Sequence, residues 1–287
     1  MASGESKSVK AERYQGFLKN HIEGSLGSLS VSYLSTLTIH QFALDRLASG
    51  LAPQTVNAIL IVLHSILKYG HQQYQIPIPA IIYLSCEKRE MRVLSPEEQK
   101  TLVAYLMKNM DICKLGVLVA LYTGLRIGEL CALKWEDVDG NSITVRHTMQ
   151  RLKKKEGSGT ELFIGAPKTK TSLWTIPIPS FLNEVIEGFR KADLDHAYFL
   201  ASGVNDIVEP RVLHYRFNRY LKEAGIEKAN FHALRHTFAT RCVEVGFEIK
   251  SLSEILGHAN VQTTLNKYVH SSFALKQANM DLLTLDL

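Results

Sequence analysis

Apolar residues recur at spacings of three and four through residues 10–73, most clearly in Ala52-Pro-Gln-Thr-Val-Asn-Ala-Ile-Leu-Ile-Val-Leu-His-Ser-Ile-Leu-Lys-Tyr-Gly70. A period near 3.6 belongs to a helix with one face on a core. Pro53 and Gly70 suit the opening and the close of such a helix, so a small helical bundle is predicted over residues 1–84. The pattern breaks over 75–92, where Pro77, Pro79 and the charge run Glu87-Lys-Arg-Glu90 intervene, and 85–94 is expected to be a linker. Leu94-Ser95-Pro96-Glu97-Glu98 then starts a new helix behind a capping serine and opens a second domain, 95–270.

Helical signals dominate 96–135. β-like runs at 142–145, 162–164 and 173–178 then predict a small antiparallel sheet. Helical periodicity resumes at 180–191, 210–223, 232–245, 248–256 and 260–269, ahead of a tail, 271–287, that carries Leu275, Met280, Leu282 and Leu283. The run Arg151-Leu-Lys-Lys-Lys-Glu-Gly-Ser-Gly159 reads as a basic hairpin tip, either solvated or touching phosphate. The expected fold class is therefore mainly α with a small antiparallel β-sheet (α+β), a helical domain followed by a larger helical domain that holds the sheet. No internal repeat interrupts it.

Composition narrows the function less than the pattern does. A chain of 287 residues, 46% of them hydrophobic, has room for two cored domains. A formal charge of +5 favours an acidic partner, nucleic acid being the commonest, without deciding it. Cys86, Cys113, Cys131 and Cys242 lie far apart, with no C-x-x-C pair, as in a reducing compartment. The polar N-terminus has no signal-peptide core and no segment approaches 18 uncharged apolar residues, so the expectation is a soluble protein with no membrane partner.

No Walker loop, H-E-x-x-H, G-x-S-x-G or dinucleotide glycine fingerprint is present, which leaves arginines, histidines and a tyrosine as candidate chemistry. Tyr122-Thr-Gly-Leu-Arg126-Ile-Gly-Glu129 sets an arginine just after a glycine break between two apolar helices. Phe231-His232-Ala-Leu-Arg235-His236 gathers two imidazoles and a guanidinium on one side of a helix. Leu256-Gly257-His258 ends another helix, and Tyr268 follows ten residues on. Each has a bland reading alone: a salt-bridged arginine, a wet tyrosine, or two histidines of a zinc site. A zinc site needs four ligands, and His258 with a scattered cysteine gives no usual spacing, so no metal is expected.

Taken together, T-G-x-R-x-x-E-L at 123–130, H-x-L-R-H-T-F-A-T at 232–240, L-G-H at 256–258 and Tyr268 resemble the tyrosine recombinase (integrase) family in order and spacing. The resemblance covers roughly residues 35–280. Pro167-Lys168-Thr-Lys170-Thr-Ser looks closest to integrases of phages and conjugative transposons. It implies a site-specific recombinase that cuts and rejoins DNA through a covalent 3′-phosphotyrosyl intermediate and a Holliday junction, for integration or excision of a mobile element.

By the same resemblance Arg126 and Arg235 grip the scissile phosphate, a task that suits the planar, always-charged guanidinium. Tyr268 is the nucleophile, His232 its general base, and His258 a phosphate donor that helps place the tyrosine. Lys168 protonates the leaving 5′-oxygen, with Lys170 its rival two residues on. Glu129 is read as orienting the neighbouring cations, His236 as structural, and Thr55 and Lys170 as DNA contacts.

The resemblance further makes 1–84 a core-binding domain and 95–270 the catalytic domain, with the tail packed in cis or exchanged between protomers. The implied partners are duplex DNA at attachment sites, a tetramer of the chain on paired sites, and accessory DNA-bending or directionality proteins, in the bacterial cytoplasm; no cofactor is implied. Many such integrases carry an additional N-terminal arm-binding domain, whereas this chain opens almost directly on its helical region. Two rival readings share these residues: a type IB topoisomerase and a non-catalytic DNA-binding scaffold. The short helical domain and the H-x-L-R-H-T-F-A-T segment favour recombination over the first, and the complete residue set argues against the second.

Overall fold

A computed structural model describes residues 11–87, 91–154, 159–165, 174–190, 197–201, 207–268 and 280–281. The chain divides into two compact units, Met1–Glu90 and Met91–Leu287.

In the first unit, a helical stretch over 11–17 runs into a π-helical turn, Leu18–Ile22, and two longer helices follow, α1 (Thr36–Ala48) and α2 (Pro53–Tyr74). Ser35 caps α1 by accepting the Thr38 N–H, and Pro53 starts α2 where its missing N–H costs nothing. Val56, Ile59, Leu60, Leu63 and Leu67 form the buried stripe of α2 against Ile39, Phe42 and Ala43 of α1. α2 does not close at Gly70: it continues to Tyr74 and ends on Gln75, whose φ of 56° is left-handed. His71 Nδ1, 2.8 Å from the Ile76 carbonyl, ties down that end, which outweighs the ~1 kcal/mol that one glycine costs a helix. The chain beyond is irregular but held. Asn57 brackets Leu84, donating to its carbonyl at 2.9 Å and accepting its N–H at 2.8 Å, while Ile81 and Leu84 cover the core.

The second unit starts on an anchored strand of backbone. Leu94, fully buried, donates its N–H to Thr237 Oγ1 at 2.9 Å and accepts from Arg241 Nη2 at 2.9 Å, and Ser95 with Glu98 forms a capping box at the start of α3 (Pro96–Met107). α4 (Ile112–Thr123), capped by Asp111, is buried on nearly every side, as an all-apolar helix must be, and forms the middle of the core. α5 (Ile127–Cys131) is short, and a 3₁₀ turn at Trp135–Asp137 follows it, so the helical region ends four residues earlier than the periodicity predicts. Trp135 is the physical reason: its ring packs 4.7 Å from Phe199 and fixes the exit to the sheet.

Two antiparallel sheets follow. β1 (Val138–Asp139), β2 (Ser142–Val145) and β5 (Trp174–Pro177) form one in the order β1-β2-β5, and β3 (Thr148–Lys153) pairs with β4 (Thr160–Gly165) in the other. Here the structure corrects the expectation of a basic hairpin tip over 151–159. Arg151, Leu152 and Lys153 are strand residues opposite Leu162, Glu161 and Thr160, and Arg151 makes a bidentate ion pair with Glu209, both bonds 2.7 Å. Helices α6 (Ser180–Arg190), α7 (Pro210–Glu223), α8 (His232–Glu244), α9 (Ile249–Ile255) and α10 (Val261–Tyr268) complete the unit. Among the described residues no helix is long and apolar enough to cross a membrane. Of the tail, Met280 is exposed; Leu275, Leu282 and Leu283 lie outside the described residues.

Candidate active site

Two turns and two helices meet where the charged residues gather. α4 stops at Thr123 because Gly124 turns left-handed at φ 67°. A Cβ at Gly124 would stand 2.7 Å from the Phe238 ring and 2.9 Å from Leu256, so both conformation and space require glycine there. The next turn presents Arg126, with its side chain 40% exposed. Glu129 grips this arginine twice. Its carboxylate accepts the Arg126 backbone N–H at 2.9 Å and the guanidinium Nη1 at 2.7 Å, so helix cap and side-chain orienter are one group.

α8 supplies the centre. Arg235 is 2% exposed, and its guanidinium reaches backbone on both sides: Nη1 donates to the Gly124 carbonyl at 2.8 Å and Nη2 to the Leu256 carbonyl at 2.5 Å. The arginine thus joins the turn that carries Arg126 to the turn that carries His258. Burial, and secondarily Arg126, pulls its pKa down to about 10, which leaves it cationic near neutral pH. Nη2 also donates to His258 Nε2 at 3.0 Å, while His258 Nδ1 lies 2.8 Å from Thr264 Oγ1.

The His258 turn rests on the sheet. Trp174 of β5 donates Nε1–H to the Ile255 carbonyl at 3.1 Å, and its ring lies against Gly257, where a Cβ would be 2.7 Å away. Gly257 is left-handed as well, at φ 60°.

Tyr268, the last residue of α10, is 8% exposed and packs in a small core with Ala239, Cys242, Leu252 and Leu256. Its hydroxyl shares a 2.9 Å hydrogen bond with Nδ1 of His236, itself 4% exposed. Burial raises the pKa of the phenol, and Arg235 and Arg126 oppose that rise. His232 sits exposed at the start of α8, with its ring edge-on to that of His236 at 4.5 Å between centroids. His236 and His258 are both held down to about 4, chiefly by burial and then by neighbouring charged or histidine groups. They are neutral near pH 7.

The structure therefore brings together five of the residues singled out in the sequence, Arg126, His232, Arg235, His258 and Tyr268, with Glu129 behind the first. Lys168 and Lys170 lie outside the described residues. Thr55 is half-buried in the first turn of α2, in the other compact unit. Sequence reasoning gave His236 no part in the site, although it follows Arg235 directly and stands one helical turn from His232. It also missed Trp174 and Thr264, for which no local pattern signals a role. Among the described residues no group of three His, Cys, Asp or Glu stands close enough to hold a metal ion.

The phage integrase family pattern matches residues 92–274. A XerC-like tyrosine recombinase of Caldanaerobacter subterraneus subsp. tengcongensis is 28% identical over 290 residues, spanning 90% of this chain and 73% of that protein. The ICEBs1 integrase of Bacillus subtilis is 24% identical over 283 residues, spanning 93% and 75% respectively. Among solved structures, the Tn1549 transposon integrase in complex with a circular intermediate DNA shares the fold, with a TM-score of 0.82 over 97% of this chain and 94% of that one at 22% identity.

Proposed function

The chain belongs to the phage integrase family of tyrosine recombinases, and from that footing we propose that it cleaves and rejoins duplex DNA at specific sites through a 3′-phosphotyrosyl bond on Tyr268, serving integration or excision of a mobile element. One observation carries the reading: Arg235 hydrogen-bonds both the Gly124 and the Leu256 carbonyl, which brings Arg126 and His258 together, and the buried Tyr268 lies within the field of both arginines.

There an in-line attack on phosphorus has what it needs. Charge developing on the non-bridging oxygens meets the guanidinium groups of Arg126 and Arg235, which are held in place before the substrate arrives. Glu129 keeps Arg126 from swinging into solvent. His258 stands beside Arg235 as a further donor to the phosphate. His232 is assigned to withdrawing the phenol proton, and Lys168, with Lys170 as rival, to protonating the leaving 5′-oxygen. The phosphotyrosyl bond conserves the energy of the broken linkage for the return attack, so neither nucleotide nor metal is consumed.

We further assign the first unit, with Thr55 near a helix start, to DNA contacts outside the cleavage site, and Lys170 to a phosphate. Four protomers would exchange strands through a Holliday junction on paired attachment sites, with the tail packed at home or on a neighbour and accessory proteins bending the DNA. Action on the chromosome places the protein in the bacterial cytoplasm. The test is a nicked duplex spanning the junction of the encoding element's ends. Wild-type protein forms a band that survives denaturation and Tyr268→Phe forms none; a band that persists in the phenylalanine variant would refute the assignment.

A further inference from the structure

We propose that His236, the residue directly after Arg235, is a catalytic base whose Nδ1 takes the proton of Tyr268 as the phenol attacks. This rests on the recombinase reading above and moves the acceptance of the phenol proton, given there to His232, to His236. The hydrogen bond between hydroxyl and Nδ1 is 2.9 Å long and buried from both sides. A general base must lie within hydrogen-bond reach of the proton it removes, and this contact is already in place without DNA.

The other groups around the phenol do not offer a lone pair. The guanidinium groups of Arg126 and Arg235 can only donate. His258 uses Nε2 to accept from Arg235 and turns Nδ1 to Thr264. His232 is further out and exposed, its ring against His236 rather than against Tyr268.

Burial first, then the His232 ring on α8 and two cations, Lys267 on α10 and Arg235 on α8, keep the imidazole neutral. With its one proton on Nε2, such a ring turns its Nδ1 lone pair to the hydroxyl. When a phosphate enters, its negative charge offsets those cations, and an imidazolium at 236 becomes tolerable at the moment it must form. The step balances. The Tyr268 O–H proton moves to His236 Nδ1, the phenolic oxygen bonds to phosphorus, the bond from phosphorus to the 5′-oxygen breaks, and that oxygen takes a proton from the lysine ammonium. Religation returns the proton from His236 to Tyr268.

The experiment uses a target duplex whose scissile 5′-bridging oxygen is replaced by sulfur, a leaving group that needs no proton, so the rate of adduct formation reports on the nucleophile side alone. His236→Asn keeps a hydrogen-bonding group near Nδ1 but cannot take a proton, and His236→Phe removes both functions. Both variants should lose roughly 100-fold or more in adduct rate while binding the same duplex within about twofold of wild type. An asparagine variant within about threefold of wild type would overturn proton transfer to His236.

If wild-type protein bound the duplex and formed no adduct, the recombinase reading itself would fail, which is a different result. A second measurement needs neither variant of His236: in the free protein labelled with ¹⁵N-histidine, the Nδ1 resonance of His236 should move on Tyr268→Phe. An unmoved resonance would show that the bond is not made.

Discussion

Nη2 of Arg235 lies 3.0 Å from Nε2 of His258, and because a guanidinium can only donate, His258 must accept on Nε2 and carry its own proton on Nδ1, toward Thr264. The neutral ring then has no proton for a phosphate. To become a phosphate donor, His258 must gain one on Nε2 as Arg235 turns its Nη2 to the substrate. Binding of the Tyr268→Phe protein to its duplex should therefore take up protons near pH 6. The free ring is held down to about 4 and the bound ring is raised by the phosphate, so affinity strengthens as pH falls through the bound value. Calorimetry in buffers of different ionisation enthalpy measures the uptake, and His258→Gln should abolish most of it.

Glu129 serves both the backbone N–H and the guanidinium of Arg126, so Glu129→Gln separates the two roles. The amide oxygen retains the cap, but the charge that orients the arginine is gone. Stability should fall by only about 1 kcal/mol, whereas the adduct rate should fall roughly 10- to 100-fold because Arg126 is no longer held toward the phosphate. Equal small losses in both would mean that Arg126 is oriented by something else.

Trp174 and Gly257 should behave as a coupled pair. Gly257→Ala forces a Cβ into the indole ring at a left-handed φ and should cost about 1–3 kcal/mol in chemical denaturation. Trp174→Ala leaves the Ile255 carbonyl without its indole donor but removes the clash, so the double variant should be more stable than the two single losses added together. Simple additivity would contradict the contact.

The leaving-group lysine can be assigned with the sulfur-bridged duplex. Lys168→Ala should be slow, by roughly 100-fold or more, on the natural linkage and close to wild type on the sulfur linkage, while Lys170→Ala should weaken both equally through binding. The reverse pattern would move the role to Lys170.

Most of the fold was legible because its signals are local. Ser95 with Glu98, Pro53 and Gly124 mark helix ends through their own backbone chemistry, and the stripe from Val56 to Leu67 needs one face buried. Two boundaries were decided by contacts that sequence cannot display. α2 runs past Gly70 because His71 bonds the Ile76 carbonyl, and Arg151 enters a strand because Glu209, 58 residues on, waits for it. In the site the same division holds. Residue types and order picked out Arg126, His232, Arg235, His258 and Tyr268, but the hydrogen bond from Tyr268 to His236 depends on how α10 packs on α8, and the support of the His258 turn comes from a tryptophan 84 positions earlier.

The most direct test of the central claim is to digest the covalent adduct with nuclease and protease and locate the peptide that carries the nucleotide remnant by mass spectrometry. The account predicts one modified peptide, with the remnant joined through its 3′-phosphate to Tyr268. A remnant on any other residue, or no remnant from protein that demonstrably cut the duplex, would contradict it.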